Sequence, residues 1–431
     1  MDRASSVWSK AAGAAALAVF VFHVYRAGQL AITTDEAFTF QRFVGVRWLD
    51  LLRGYDANHH ILHSILCKLS VGAFGAAEWS LRLPALAGCG LYLYYARRLA
   101  MHFAGTGPAM LASFLWLCGL PQIAEYLSLA RGYSLGLGCL AAALWHAVQP
   151  EPRWPRVSAW LGLSVASNLV FLIPAGALGL VCLRQSRALP ALTAPAAAVL
   201  AWTLAVPLHY ASLDNYYFGV KTWNESVHSL LVFPWLKAGA ALALVLGAAA
   251  AWRAAGATRQ LAQLLALALA LPGILFVFRN VPLPYERTGI YLLFLLALLV
   301  GPACRWPRAE LPLALLFGGL AVAAGSHLSA RQSGVWTFDA FQRAGMERIR
   351  RESPAGPVRV AGTFPLEYGA EFYRRVWRLP WPAVAQWKEG LECDYLLWRT
   401  DESHAPPPAG FTALVRDEAS GVVLARRSAQ R

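Results

Sequence analysis

The chain has 431 residues, 57% of them hydrophobic and only 14% charged, with a mean hydropathy of +0.44. Ordinary soluble domains carry roughly a quarter charged residues, so composition excludes that class and points to a membrane protein. The net charge of +14 raises nucleic acid as a partner, but the arginines stand at the ends of apolar runs rather than along one basic face, which is the pattern of membrane orientation.

Residues 1–30 carry Arg3 and Lys10 and then an apolar stretch to Tyr25. No small-x-small cleavage site follows and further apolar runs do, so a retained first helix is expected rather than a signal peptide. Connections rich in Arg and Lys stay on the cytoplasmic side. They are the N-terminus, Arg97-Arg98, Arg153 with Arg156, Arg184 with Arg187, Arg253 with Arg259, and Arg305 with Arg308. Placing them inside predicts about eleven spans of a length that crosses the hydrocarbon core. The spans fall near 11–30, 81–103, 107–124, 132–149, 157–169, 170–183, 190–209, 230–252, 260–278, 288–303 and 310–328. The N-terminus then lies inside and the tail outside.

Segments 31–80, 125–131, a turn near Asn168, 210–229 and 279–287 become external. In the first, Phe38, Phe40, Phe43, Val44, Trp48, Leu51 and Leu52 approximate a helical stripe, with Arg42, Arg47 and Arg53 elsewhere. That predicts an amphipathic helix in the interface. The stretch His60 to Phe74 is short, carries His63 and Lys68, and is expected as a juxtamembrane helix. The predicted organisation is an all-α polytopic domain over 1–330, with a first outer loop 31–80, followed by a small extracytoplasmic α/β domain over 331–431. In the latter, strands are expected at Val358 to Ala361 and Cys393 to Trp398, a helix at Pro365 to Arg375, and a hairpin over Phe411 to Arg427 around Ser420-Gly421. The tail has no Gly-rich phosphate loop, and docking or covering is its expected role.

The external segments hold nearly all the unusual polar residues. Asp35-Glu36 places two carboxylates at the outer boundary. Thr34 or Asp35 serves as the cap of a helix starting near Glu36 in the structural account. Asp56, Asn58, His59, His60 and His63 return to the same boundary, joined by Glu125, Arg131 and Tyr133 and by Tyr285, Glu286 and Arg287. Ionisable groups gathered on one membrane face are expensive to hold there and mark a site. His59-His60-x-x-His63 has helical spacing, but adjacent histidines diverge and no carboxylate lies one turn away, so a divalent metal is not indicated and no cofactor is expected. Arg131 and Arg287 either snorkel to headgroups or clamp a lipid-borne phosphate; Lys221 is a further candidate for that phosphate.

Thr33-Thr34-Asp35-Glu36-Ala37, the run Asn58-His59-His60-Ile61-Leu62-His63 continuing to Phe74-Gly75, and Leu81-Arg82-Leu83-Pro84-Ala85-Leu86 resemble the opening of family 39-like C-type glycosyltransferases. These are bacterial relatives of the protein mannosyltransferases and of the lipid A aminoarabinose transferase. Ala130-Arg131-Gly132-Tyr133-Ser134-Leu135 resembles their second-loop pattern, and Tyr285-Glu286-Arg287 their late loop-to-helix junction. The chain departs from the pattern at His59-His60, where many relatives carry Pro-Pro, and at Asn58, where some carry Lys. The resemblance implies an inverting hexosyl- or pentosyltransferase of the bacterial plasma membrane. Its donor would be a polyprenyl-phosphate sugar and its acceptor a glycan, lipid or protein. Asp35 would be the general base and Glu36 its catalytic neighbour, with substrate bound by Asn58, His59, His60, Glu125, Arg131, Tyr133, Lys221, Tyr285, Glu286 and Arg287. The alternatives are a lipid or polysaccharide transporter, which internal repeats and broken midplane helices would mark, and another lipid-using transferase built on a buried His.

Overall fold

The computed structural model describes residues 3–183, 189–210, 218–254, 256–306, 308–353, 356–400 and 406–428. The connection at Arg184 and Arg187, and residues 211–217 of the external segment 210–229, lie outside them. The chain divides into two compact units. The first comprises Met1–Val24, Leu52–Leu66 and Leu83–Leu328; the second comprises Tyr25–Leu51, Cys67–Arg82 and Ser329–Arg431.

The first unit is helical. Its centre is the helix Ile290–Cys304, whose mean composition is apolar on every side, so no face needs water; nearly every residue of it is buried. Helices Pro108–Gly119 and Pro234–Arg253 pack against it, and Glu310–Gly325 packs against Pro108–Gly119. A second group forms where Trp154–Ser167 lies against both Tyr133–Ala147 and Leu189–His209. Gly88 permits a backbone-to-backbone approach there: a Cβ on it would overlap the Leu135 amide and Cα, and Ser134 Oγ donates to the Ala85 carbonyl at 2.7 Å. Close approach through small residues is the usual way apolar helices associate where lipid removes the hydrophobic drive. Trp202, Trp252 and Phe278 are more than three-quarters exposed, as side chains facing hydrocarbon would be.

Among the described residues, five helices are long and apolar enough to cross a membrane by length and composition: Val7–Gln29, Leu189–His209, Pro234–Arg253, Ala257–Arg279 and Glu286–Cys304. The count of about eleven spans is not established. Ile61–Phe74, Pro108–Gly119, Leu169–Leu183 and Glu310–Gly325 are shorter apolar helices, below the roughly twenty residues that cross the core. One expected span, 107–124, is split at Leu120, which is extended before Pro121, because the residue before proline is pushed out of the helical region.

In the second unit, the expected amphipathic helix is broken into the helix Thr34–Thr39, a π-helical turn Phe40–Val44 and the helix Trp48–Arg53. Phe40, Phe43, Val44 and Leu51 are buried, and Phe38 and Phe40 meet Tyr368 and Phe372 with ring centroids 5.5 and 5.0 Å apart. The aromatic stripe therefore packs on protein. The tail forms β1 (Val360–Gly362), β2 (Ala385–Gln386), β3 (Tyr395–Arg399), β4 (Phe411–Asp417) and β5 (Val422–Arg427). Their order is β2-β1-β3-β5-β4. β1 runs parallel to β2 and β3, and β5 antiparallel to β3 and β4. The helix Leu366–Val376 follows β1 and buries Leu366, Ala370, Phe372 and Tyr373. The hairpin turns at Ser420-Gly421 as the sequence predicts; the two-residue β2 carries no periodic signal and was not expected.

Candidate active site

Asp35 lies in the second unit, in the first turn of the helix Thr34–Thr39. The cap is Thr33 rather than Thr34 or Asp35. Thr33 Oγ1 accepts from the Glu36 amide at 3.4 Å, and Glu36 Oε2 accepts from the Thr33 amide at 3.1 Å, a capping box that satisfies two donors at once. Glu36 is fully buried, and Arg82, also fully buried, donates to both its oxygens, from Nε at 2.9 Å and from Nη2 at 2.6 Å. The remaining guanidinium hydrogens go to the carbonyls of Ala27, Leu30 and Ala31 at 2.7–2.9 Å, so all five donors are used. Both Glu36 oxygens are thus taken up by the cap and by Arg82, which gives the residue a holding role. Thr34 is gripped from the tail: Asp339 Oδ2 accepts from its amide at 2.5 Å and Oδ1 from its hydroxyl at 2.9 Å. Asp35, between these two buried neighbours, is itself partly buried, with its Oδ2 shielded from solvent.

Asp339 is itself buried, and burial pushes its carboxyl up from 3.8 to about 8. The Thr34 and Gln342 donors pull the other way, and the charge of Asp35 adds to the rise. A neutral carboxyl keeps the contact, because one oxygen still accepts from the amide while the O–H turns to the threonine hydroxyl.

The first unit assembles the other candidates. Arg131 is buried, and its Nη2 donates to Asn58 Oδ1 at 2.7 Å. His59 Nδ1 meets the Gly54 carbonyl at 3.0 Å. The His60 ring stands edge-on to Tyr133 at 5.5 Å, and Tyr133 lies 4.7 Å from the Tyr126 ring. Burial, and then the charges of Arg131, His63, His59 and Arg287, hold His60 well below the usual imidazole range. It is a neutral ring beside two guanidiniums. Arg287, Tyr133, Glu125 and Glu286 all lie within electrostatic range of the Tyr126 phenol. Arg287 stands 4.2 Å over Phe218, in a loop fastened by a two-way bridge between Val220 and Leu283. Tyr285 meets the same Phe218 ring at 5.6 Å, and the Glu286 amide donates to Ser229 Oγ at 2.8 Å. Lys221 is exposed next to that bridge.

Gly132 makes the Arg131–Tyr133 turn possible. Its φ is +70°, and a Cβ there would collide with the Ser167 carbonyl and crowd His60, so only glycine fits. Sequence reasoning missed the roles of Arg82, Tyr126 and Asp339. An arginine inside the apolar helix Glu78–Ala104 was a usable signal, since such a charge needs a partner. Asp339, in an ordinary Thr-Phe-Asp run, gave none.

The chain shares its fold with solved structures of two glycosyltransferases, and its apolar helices are those of a multi-pass membrane protein. It is similar over 98% of its length to the crystal structure of ArnT from Cupriavidus metallidurans bound to undecaprenyl phosphate, with a TM-score of 0.55 and 16% identity over 98% of that chain. The apo state of the same protein gives 0.57 and 15%, again covering 98% of both chains. The mycobacterial arabinofuranosyltransferase AftD gives 0.54 and 14% over 98% of this chain and 42% of its own. No protein-family model and no curated protein matches the sequence.

Arg82→Met leaves the Glu36 carboxylate buried without its cation, which typically costs about 3–5 kcal/mol. A clearly lowered thermal midpoint of the purified protein in detergent is expected, and the double variant Arg82→Met/Glu36→Leu should recover part of it. An unchanged midpoint for the single variant would show that water reaches the pair.

The native state holds a proton on Asp339 between pH 3.8 and about 8 that the unfolded chain has released. Stability therefore falls as pH rises through that window, by at most about 1.4 kcal/mol per unit. Thermal melts across this range should show the slope in wild type and a flatter one in Asp339→Asn; equal slopes would mean that Asp339 is ionised in the fold.

Proposed function

We propose that this protein is an integral-membrane glycosyltransferase that moves a sugar from a polyprenyl-phosphate donor to an extracytoplasmic acceptor hydroxyl, with inversion at the anomeric carbon. The observation that carries this reading is an arrangement in the first unit: buried Arg131 donates to Asn58 at 2.7 Å, buried His60 packs on Tyr133 and Tyr133 on Tyr126, and Arg287, from a loop far away in sequence, lies within electrostatic range of His60 and Tyr126. It occurs in a fold whose solved counterpart holds undecaprenyl phosphate. Two guanidiniums supply planar, charge-assisted donors to a phosphate, and Tyr133 and Asn58 complete a polar wall.

In the reaction, the Asp35 carboxylate takes the proton of the acceptor hydroxyl while that oxygen bonds to the anomeric carbon. The bond from that carbon to the phosphate oxygen breaks, and the lipid phosphate leaves with its charge stabilised by Arg131 and Arg287. Glu36 holds the helix start, since both its oxygens are occupied by Arg82 and by the Thr33 cap. The tail 331–431 is extracytoplasmic and the connection at Arg97-Arg98 cytoplasmic, as the distribution of arginines requires.

Asp35→Asn keeps size but cannot accept the proton, so it should abolish transfer while binding of undecaprenyl phosphate persists. Arg131→Lys and Arg287→Lys should weaken donor use about tenfold or more, because a point charge cannot copy the fork, whereas Arg47→Lys should be nearly silent. Donor titration in lipid nanodiscs decides this: near-normal turnover in Asp35→Asn would remove the general base, and equal small effects at all three arginines would make them membrane anchors.

Orientation is testable in intact cells because all seven native cysteines are buried. A membrane-impermeant maleimide should label a cysteine at the exposed Lys388 and spare one at Arg98; the reverse pattern would overturn the topology.

A further inference from the structure

We propose that Asp339 is a positioning residue for Asp35, so that the C-terminal segment sets the geometry of the general base. The proposal rests on the reading of Asp35 as that base. Asp339 lies in the short 3-10 turn Thr337–Phe341. It reaches across to the first residue of the helix Thr34–Thr39 and takes both the amide and the hydroxyl of Thr34.

Helix starts leave their first amides without intrahelical partners. Here the capping box accounts for the Thr33 and Glu36 amides. Thr34 falls outside that box, and the tail supplies its acceptor. The consequence falls on Asp35. The residue before it is held by Asp339 and the residue after it by Arg82, so the backbone carrying the carboxylate is fixed on both sides, and the side chain itself is partly buried. A base must hold its acceptor within a few tenths of an ångström, and small misplacements cost large factors in rate. Asp339 is in turn steadied by Gln342, whose Nε2 reaches both Asp339 Oδ1 at 3.5 Å and the Leu366 carbonyl at 2.9 Å.

The tail does not depend on this contact for its attachment within the unit. Arg343 pairs with Glu78 at 2.8 Å. The Tyr373 hydroxyl donates to Glu78 at 2.8 Å and accepts from the Ile32 amide at 3.0 Å. Arg26 Nε donates to the Ser329 carbonyl at 2.8 Å. These remain when Asp339 is changed, so its loss acts locally on the first turn of the helix. An asparagine can replace it, with Oδ1 accepting from the Thr34 amide and the NH₂ donating to the hydroxyl; an alanine cannot.

The test uses the full-length protein in nanodiscs. The probe is whichever synthetic undecaprenyl-phosphate pentose or hexose the wild type consumes with membrane extract as acceptor. Asp339→Ala should lower kcat about tenfold or more while the donor KM stays within about twofold, because ground-state donor binding is untouched. Asp339→Asn should recover most of the rate. In the Asp35→Asn background, Asp339→Ala should cost nothing further, since the two act through one carboxylate. Hydrogen exchange at the Thr34–Thr39 amides should rise in Asp339→Ala and return in Asp339→Asn. If a folded Asp339→Ala keeps its kcat, or if Ala and Asn lose rate equally together with a raised KM and a lowered melting point, Asp339 is no positioning residue, even with Asp35→Asn inactive. If Asp35→Asn itself turns over normally, the base reading fails first, and the proposal falls with it.

Discussion

A buried arginine inside an apolar helix is tolerable only if every donor it carries finds an acceptor, and Arg82 meets that condition with none to spare. Two of its hydrogens go to Glu36 and three to the carbonyls of Ala27, Leu30 and Ala31. Those carbonyls sit at and just beyond the end of the helix Arg3–Gln29, where backbone acceptors lack partners and a cation is favoured. Glu36 sits at the positive start of the next helix, where an anion is favoured. One guanidinium thus joins the negative end of one helix to the positive end of another, and the chain between them, Leu30 to Thr34, has little freedom left. The energetics are those of a buried pair: little net gain over an apolar substitute, but a heavy cost for losing one partner. What the pair contributes is geometry. It explains why Glu36, adjacent to the candidate base, is itself unavailable for proton transfer.

The first unit gathers Arg287, Glu125, Glu286 and Tyr133 within electrostatic range of the Tyr126 phenol, and Arg131 and Arg287 within range of the buried His60. Arg131 is fixed by Asn58 and by the turn at Gly132; Arg287 rests on the face of Phe218, where the ring quadrupole attracts it. Burial, and then these cationic surroundings, hold His60 well below the usual imidazole range. Guanidiniums offer planar, charge-assisted donors that suit a phosphate, which is why the donor's headgroup is proposed to bind here.

Much of this was legible in the sequence, for identifiable reasons. The apolar runs and the arginines at their ends follow from the bilayer, which imposes length and charge on each segment regardless of packing. The contacts of Arg131 with Asn58 and of His60 with Tyr133 join segments that the sequence places together at the ends of apolar runs. The failures also have causes. The stripe from Phe38 to Leu52 fits a helical period, yet the helix breaks at Gly45, and Phe38 and Phe40 pack on Tyr368 and Phe372 of the tail; periodicity cannot tell one apolar partner from another. The span 107–124 splits because Pro121 forbids a helical Leu120.

The sequence by itself determined that this chain is a membrane protein and where its apolar segments run, and it places Asp35, Arg131 and Arg287 near the ends of those segments. Those properties are local, written by composition and by the spacing of charges. Only the tertiary structure decided that Glu36 is spent on Arg82, that Thr33 caps the helix, and that Asp339, some three hundred residues further along, holds Thr34. Each of these is a hydrogen bond between groups distant in sequence, and a buried polar group takes whichever partner the fold delivers to it.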